Sequence, residues 1–191
     1  MPAEFLNRRE AATLAGVSLR AVDKAIEEKA VKVKRGDRHG TLLDKADVLS
    51  IALFARAGLP LGPGTKKRIN KWVHGCLAGE AFGGPEELPL SDLLVLRSDD
   101  AFRQRVEQVR RYLEGRERYI ERHPDVQGGA PIVAGTRLPV KAVAERLSRG
   151  ETIDDLLEDY PETPRDAFEA ARIYAEAHPR RGRPAQPWRD D

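Results

Sequence analysis

The stretch that decides the reading is Asn7 to Lys29, NRREAATLAGVSLRAVDKAIEEK. Asn7 is placed to cap a helix, and Glu10 stands where its carboxylate can reach back to the cap backbone in a capping box. Ala11, Ala12, Leu14 and Ala15 supply one apolar face. Gly16-Val17-Ser18 follows as a turn that offers a residue tolerant of positive φ, an apolar plug and a fresh cap. In the second helix Ala21, Val22, Ala25 and Ile26 recur at helical spacing, which leaves Leu19, Arg20, Asp23 and Lys24 outward near its N-terminal end. Two short helices joined in this way form either an ordinary helical hairpin or a helix-turn-helix. In the second case Ser18, Leu19, Arg20, Asp23 and Lys24 are the candidates to meet base edges and phosphates.

The residues that follow favour the second reading. Val31 to Lys34 alternates as a strand, Arg35-Gly36-Asp37-Arg38-His39-Gly40 is a turn loaded with cations, and Thr41 to Leu43 returns as a second strand. Arg35, Arg38 and His39 are thereby candidate DNA contacts on a wing. Asp44 then caps a further helix, Lys45 to Ala57, in which Ala46, Val48, Leu49, Ala52 and Leu53 are apolar. This order of helix, turn, helix, two-stranded wing and helix resembles the winged helix-turn-helix heads of the MerR and excisionase type, and the resemblance implies DNA binding.

Charge is segregated along the 191 residues in a way the net +2 hides. Met1 to Gly75 carries 15 Lys/Arg against 8 Asp/Glu, whereas Cys76 to Pro179 carries 14 against 21. A basic head gains from releasing phosphate counterions; an acidic body does not, and its work lies elsewhere. With 34% charged residues and mean hydropathy of -0.55, two small domains are expected rather than one large core. No apolar run is long enough to span a bilayer, and MPAEFLNRRE lacks signal-peptide architecture, so a cytoplasmic protein with no membrane association is expected. The single Cys76 excludes an intramolecular disulfide, and His39, His74, His123 and His178 show no ligand spacing with it, so neither a metal site nor a cofactor is read. There is no phosphate-cradling loop and no nucleophile elbow, and no catalytic residue is assigned. Asp154-Asp155 and Asp190-Asp191 are read as helix N-terminal charge and tail.

Gly58 to Gly64, GLPLGPG, is a breaker-rich joint, and Thr65 to Val73 is a short basic helix. Its cations extend the DNA footprint, or they are solvated while Ile69, Trp72 and Val73 pack on the head; the sequence leaves both open. Ala78 to Pro89 reads as a loop and Leu93 to Leu96 as a strand. Asp99 to Glu121 is a long charged helix with Phe102, Val106, Val109, Leu113 and Ile120 in a stripe that either pairs subunits or packs within one chain.

From His123 the chain offers a glycine pair, then a hairpin from Ile132-Val133 through Ala134-Gly135-Thr136 into Arg137-Leu138-Pro139-Val140. Three helices follow: Val140 to Ser148; one capped by Thr152 with Asp155 in box position; and one capped by Thr163 with Pro164 in its first turn and Asp166 in box position. Val143, Leu147, Ile153, Leu156, Leu157, Tyr160, Phe168, Ala171 and Tyr174 form the inner set. The fold class expected is mainly α, a winged helix-turn-helix over 1–75 and a three-helix bundle with a short β-hairpin over 123–179, joined by 76–122 and ended by a basic tail, 180–191.

The run HPDVQGGAPIVAGTRLPV, a helix ending in Arg-Gly, then IDDLLEDYP and an Ala-rich helix ending AEAHP resemble a bacterial family catalogued as a domain of unknown function, the four-three-three family. The resemblance implies a homeodomain-like helical fold associated with toxin-antitoxin operons. Behind a winged head, the arrangement is similar to VapB-type antitoxins, which implies a type II antitoxin that silences a PIN-domain ribonuclease toxin and represses its operon at operator DNA. The family's glycine signatures are matched by Gly128, Gly129, Gly135, Thr136 and Arg137, assigned to backbone geometry and anchoring. Carboxylates on the last helix disfavour a groove contact there, so a homodimer through this unit is expected, with the hairpin as its pairing edge. The alternative is a stand-alone winged-helix regulator without a toxin.

The tail is too poor in apolar residues to fold alone. Three roles compete for it. Arg180, Arg181, Arg183, Pro184 and Trp188 bind the toxin, with arginines on its metal-holding carboxylates and Trp188 as anchor. Arg181 to Pro184, RGRP, matches the core of an AT-hook for the minor groove. Or the tail only solubilises.

Overall fold

The computed structural model describes residues 4–36, 40–78, 86–92, 94–124 and 126–179. It is mostly helical with small β-sheets. Strand β1 (Leu6–Asn7) leads into helix α1 (Arg8–Ala15). Asn7 caps α1 by accepting from the Arg9 and Glu10 amides, and the Glu10 carboxylate accepts from the Asn7 amide at 2.8 Å, closing the box. Gly16 ends the helix at φ 68°, ψ 36°, a left-handed conformation that a Cβ disfavours. Ser18 caps α2 (Leu19–Glu27), its Oγ accepting from the Ala21 amide at 3.3 Å.

Strands β2 (Lys34–Gly36) and β3 (Gly40–Leu43) are antiparallel, and β1 adds to the other edge of β3, pairing Leu6 with Leu43. Val31 to Val33, read as strand, lies outside the sheet: the Lys32 amide donates to Asp47 at 3.0 Å instead of to a neighbouring strand. Asp44 caps α3 (Lys45–Arg56) in a second capping box with Asp47. Helix α4 (Pro63–Cys76) starts earlier than the basic run, with proline in its first turn, where the missing N–H costs nothing.

Residues 87–89, read as loop, belong to β4 (Glu87–Ser91), which pairs with β5 (Leu94–Arg97). Pro89 obscures this strand in the sequence, yet in a two-stranded ribbon every strand is an edge and a proline is tolerated there. Arg68 of α4 donates to the Pro89 carbonyl at 2.6 Å and fixes the ribbon to the helix.

Helix α5 (Asp100–Tyr119) passes directly into β6 (Ile120–Arg122), whose partner is β7 (Pro131–Val133). The expected hairpin from Ile132-Val133 into residues 137–140 forms only in part, with the Val133 amide donating to the Leu138 carbonyl at 2.9 Å. Residues 133–138 are a tight turn, closed by Thr136 Oγ1 donating to the Val133 carbonyl at 2.7 Å, with only a single bridge from Ile132 to Pro139. Helices α6 (Val140–Ser148), α7 (Ile153–Asp159) and α8 (Arg165–Ala177) complete the chain. Thr152 caps α7 with Asp155 in the box. Thr163, however, is not the cap of α8: Pro164 holds that position without a side-chain bond, and Thr163 is drawn inward by the turn in which its amide donates to the Tyr160 carbonyl.

The larger core spans far more than the head. Leu6, Leu14, Val22, Leu43, Leu49 and Ile69 are joined in it by Phe102, Val109 and Tyr112 of α5 and by Ala170 and Ile173 of α8. A second core holds Val133, Val140, Val143, Leu156, Phe168 and Ala171. Helix α8 therefore gives one face to each. Helices of eight or nine residues are marginal alone, so α1 and α2 depend on this packing. Among the described residues no helix is long and apolar enough to cross a membrane.

Candidate nucleic-acid interface

Helix α2 buries Val22 and Ala25 and leaves Arg20 and Lys24 exposed, one turn apart on the opposite face. Leu19 is half-buried at the start of the same helix. Ser18 is spent on the cap, and Asp23 is engaged by Arg8 of α1 at 2.7 Å, which ties the two helices together. Lys24 stands 3.9 Å from Glu28, whose other contact, Lys66 of α4, holds its carboxyl below the usual range. An exposed pair at that distance contributes little, so Lys24 can exchange Glu28 for a phosphate at small cost.

Arg35 is exposed on β2, beside Lys34, whose ammonium sits 4.2 Å from the centre of the Phe5 ring. Arg38 and His39 lie outside the described residues, as do Arg180, Arg181, Arg183, Pro184 and Trp188. Arg20 and Lys24 thus share the exposed face of α2, and Arg35 is exposed on β2.

The turn between α1 and α2 has a support that the sequence did not announce. Arg105 of α5 donates to the Leu14 carbonyl at 3.0 Å, one of the orphan carbonyls at the C-terminal end of α1. Beneath it, Glu10 is fully buried. Its carboxylate accepts from Tyr112 Oη at 2.6 Å and from Arg116 Nη1 at 2.8 Å, while Arg116 Nη2 donates to the Phe5 carbonyl at 3.0 Å. Burial and the Glu10 charge push the Tyr112 hydroxyl pKa far up, so it stays a donor. Local pattern reveals the cap role of Glu10, but not partners on α5.

Residues 128–138 act through backbone geometry. Gly128, Gly129 and Gly135 all take positive φ, and Thr136 Oγ1 also accepts from the Leu138 amide at 3.0 Å. Arg137 is exposed. Helix α8 is packed against α1, α5, α6 and α7; its Arg172 pairs within the helix, with Glu176 at 2.9 Å and Glu169 at 3.6 Å, and its Arg165 pairs with Asp154 of α7. One group among the described residues combines metal-ligating side chains, Asp44, Asp47 and His74. Asp44 and Asp47 belong to the start of α3 and His74 to the end of α4, so no sequence spacing marks the three as a set.

Residues 120–175, from β6 into α8, match the family described as "Protein of unknown function (DUF433)". A protein of Sinorhizobium fredii (strain NBRC 101917 / NGR234), "Uncharacterized protein y4eO", is 45% identical over 60 residues, 31% of this chain and 27% of that protein. The matched segment thus spans about a quarter of that relative. Among solved structures, the crystal structure of Rv2018 from Mycobacterium tuberculosis aligns over 87% of this chain and 95% of that one, at 14% identity and a TM-score of 0.40.

Proposed function

We propose that this chain is a non-enzymatic antitoxin of a type II system: it binds operator DNA through a winged helix-turn-helix head and holds a PIN-domain ribonuclease toxin through its C-terminal part. The observation that carries the DNA half is the face of α2, where Arg20 and Lys24 stand exposed behind a left-handed glycine turn. A helix with its side chains is about 10–12 Å across, which suits a major groove about 12 Å wide. Strand β1 fastens the wing to the start of α1, so wing and helices dock as one body.

The toxin half rests on the resemblance of the C-terminal unit and on charge. The acidic balance after Gly75 is unsuited to phosphate and suited to a protein partner. In this reading the homodimer sets two heads on two half-sites.

The test pairs a mobility shift on the DNA upstream of the gene with co-purification from native lysate. Arg20→Ala with Lys24→Ala is expected to weaken operator binding at least tenfold and to flatten its salt dependence, while nuclease capture persists. Unchanged operator affinity overturns the recognition-helix assignment. Operator binding with no nuclease captured moves the conclusion to a stand-alone regulator.

A further inference from the structure

Asp44 and Asp47 occupy the cap and third position of α3, and His74 lies in the last turn of α4. His74 Nε2 stands 3.7 Å from Asp47 Oδ1 and 4.0 Å from Asp44 Oδ2, and the potential ligand atoms all fall within 4.8 Å of one another. These separations exceed a hydrogen bond. They are close to the spacing of ligands around one cation: bonds of about 2.1 Å set neighbouring ligand atoms roughly 3.0 to 3.5 Å apart, within a small side-chain shift of what is seen.

Independently of the carboxylates, His74 Nε2 is a buried atom with no hydrogen-bond partner, and it points at them. A buried imidazole nitrogen without a partner is costly unless something else satisfies it. The second carboxylate is equally unusual. Asp47 is 1% exposed and is held in place by the Lys32 amide at 3.0 Å and Asn70 Nδ2 at 2.9 Å, with Asn70 braced by Ser50 at 3.1 Å. Both bonds are accepted by Oδ1, the oxygen that faces His74, and fix its position. Among the described residues no lysine or arginine forms an ion pair with Asp44 or Asp47.

The group opens on a cavity of about 680 Å³, lined by Asp44 and His74 together with Lys34, Arg110, Glu114 and Glu117. It gives a cation a way in beside Asp44 and His74.

We propose that Asp44, Asp47 and His74 form a binding site for a divalent transition cation of the zinc class. One imidazole nitrogen and two carboxylate oxygens make a mixed donor set that suits Zn²⁺, Co²⁺ or Ni²⁺ better than the all-oxygen ligands that Mg²⁺ and Ca²⁺ favour. The bound ion joins the start of α3, the end of α4 and, through Asp44, the end of β3. It thereby fixes the sheet against the helices, whatever the sheet binds.

The test uses the full chain stripped with a chelator, titrated with CoCl₂ by visible absorption and with ZnCl₂ by calorimetry and thermal melting. Asp44→Asn keeps a capping residue while removing the charge, and His74→Ala removes an atom that has no hydrogen bond to lose. The expected result is one equivalent bound, a higher melting temperature with Zn²⁺, and affinity at least tenfold weaker in each variant, with metal-free melting unchanged in His74→Ala. Absence of binding by the parent chain overturns the site, and so does undiminished affinity in either variant.

Discussion

Glu10 shows how much one side chain can carry. It closes the capping box at the start of α1 and, fully buried, accepts from Tyr112 and Arg116 of α5. A buried ion pair gives little net stability over an apolar pair of the same shape, but breaking it strands a charge. Glu10→Leu is therefore expected to cost about 3–5 kcal/mol, measured by urea unfolding, because Arg116 then faces the core without its carboxylate. A loss below about 1 kcal/mol would show that water reaches the guanidinium. The first role of Glu10 was legible in the sequence because a capping box is a pattern of neighbours. The second was not, since it requires knowing that α5 lies against α1. Gly16 and Ser18 were legible for the same local reason, as turn residues with a fixed backbone task.

Among the elements, the long helix α5 departs most from its sequence reading. The expected stripe of Phe102, Val106, Val109, Leu113 and Ile120 does face inward, but the residues most deeply buried include Tyr112, Gly115 and Arg116. Helical periodicity marks apolar positions and passes over a tyrosine, a glycine and an arginine whose burial depends on a particular neighbour. At Gly115 helix α5 comes close to α8: a Cβ there would lie 3.0 Å from the Cβ of Ala170 and 3.4 Å from the Asp166 carbonyl. Gly115→Leu is expected to force the helices apart and destabilise the chain by roughly 1–3 kcal/mol, seen as a lower midpoint in urea. An unchanged midpoint would mean that α8 yields freely. Tertiary partners likewise explain why β1 and β4 were not read: each is a strand only through its pairing, with β3 and β5 respectively.

For the whole molecule, sequence composition separates a basic head from an acidic body, whereas packing joins them. Ala170 and Ile173 of α8 lie in the same core as Leu6, Leu14 and Leu43. Asn7 Nδ2 also meets His178 Nε2 at 3.0 Å, linking the cap of α1 to the end of α8. Unfolding is therefore expected to be a single transition, with the fluorescence of Trp72 in a Trp188→Phe background coinciding with far-ultraviolet circular dichroism. Two separated transitions would show that the head melts independently. The consequence reaches into evolution. A C-terminal unit exchanged for this one must bring a small residue to the place where Gly115 faces Ala170. Exchange of whole units at a linker is thus constrained by a contact made within the body of the protein.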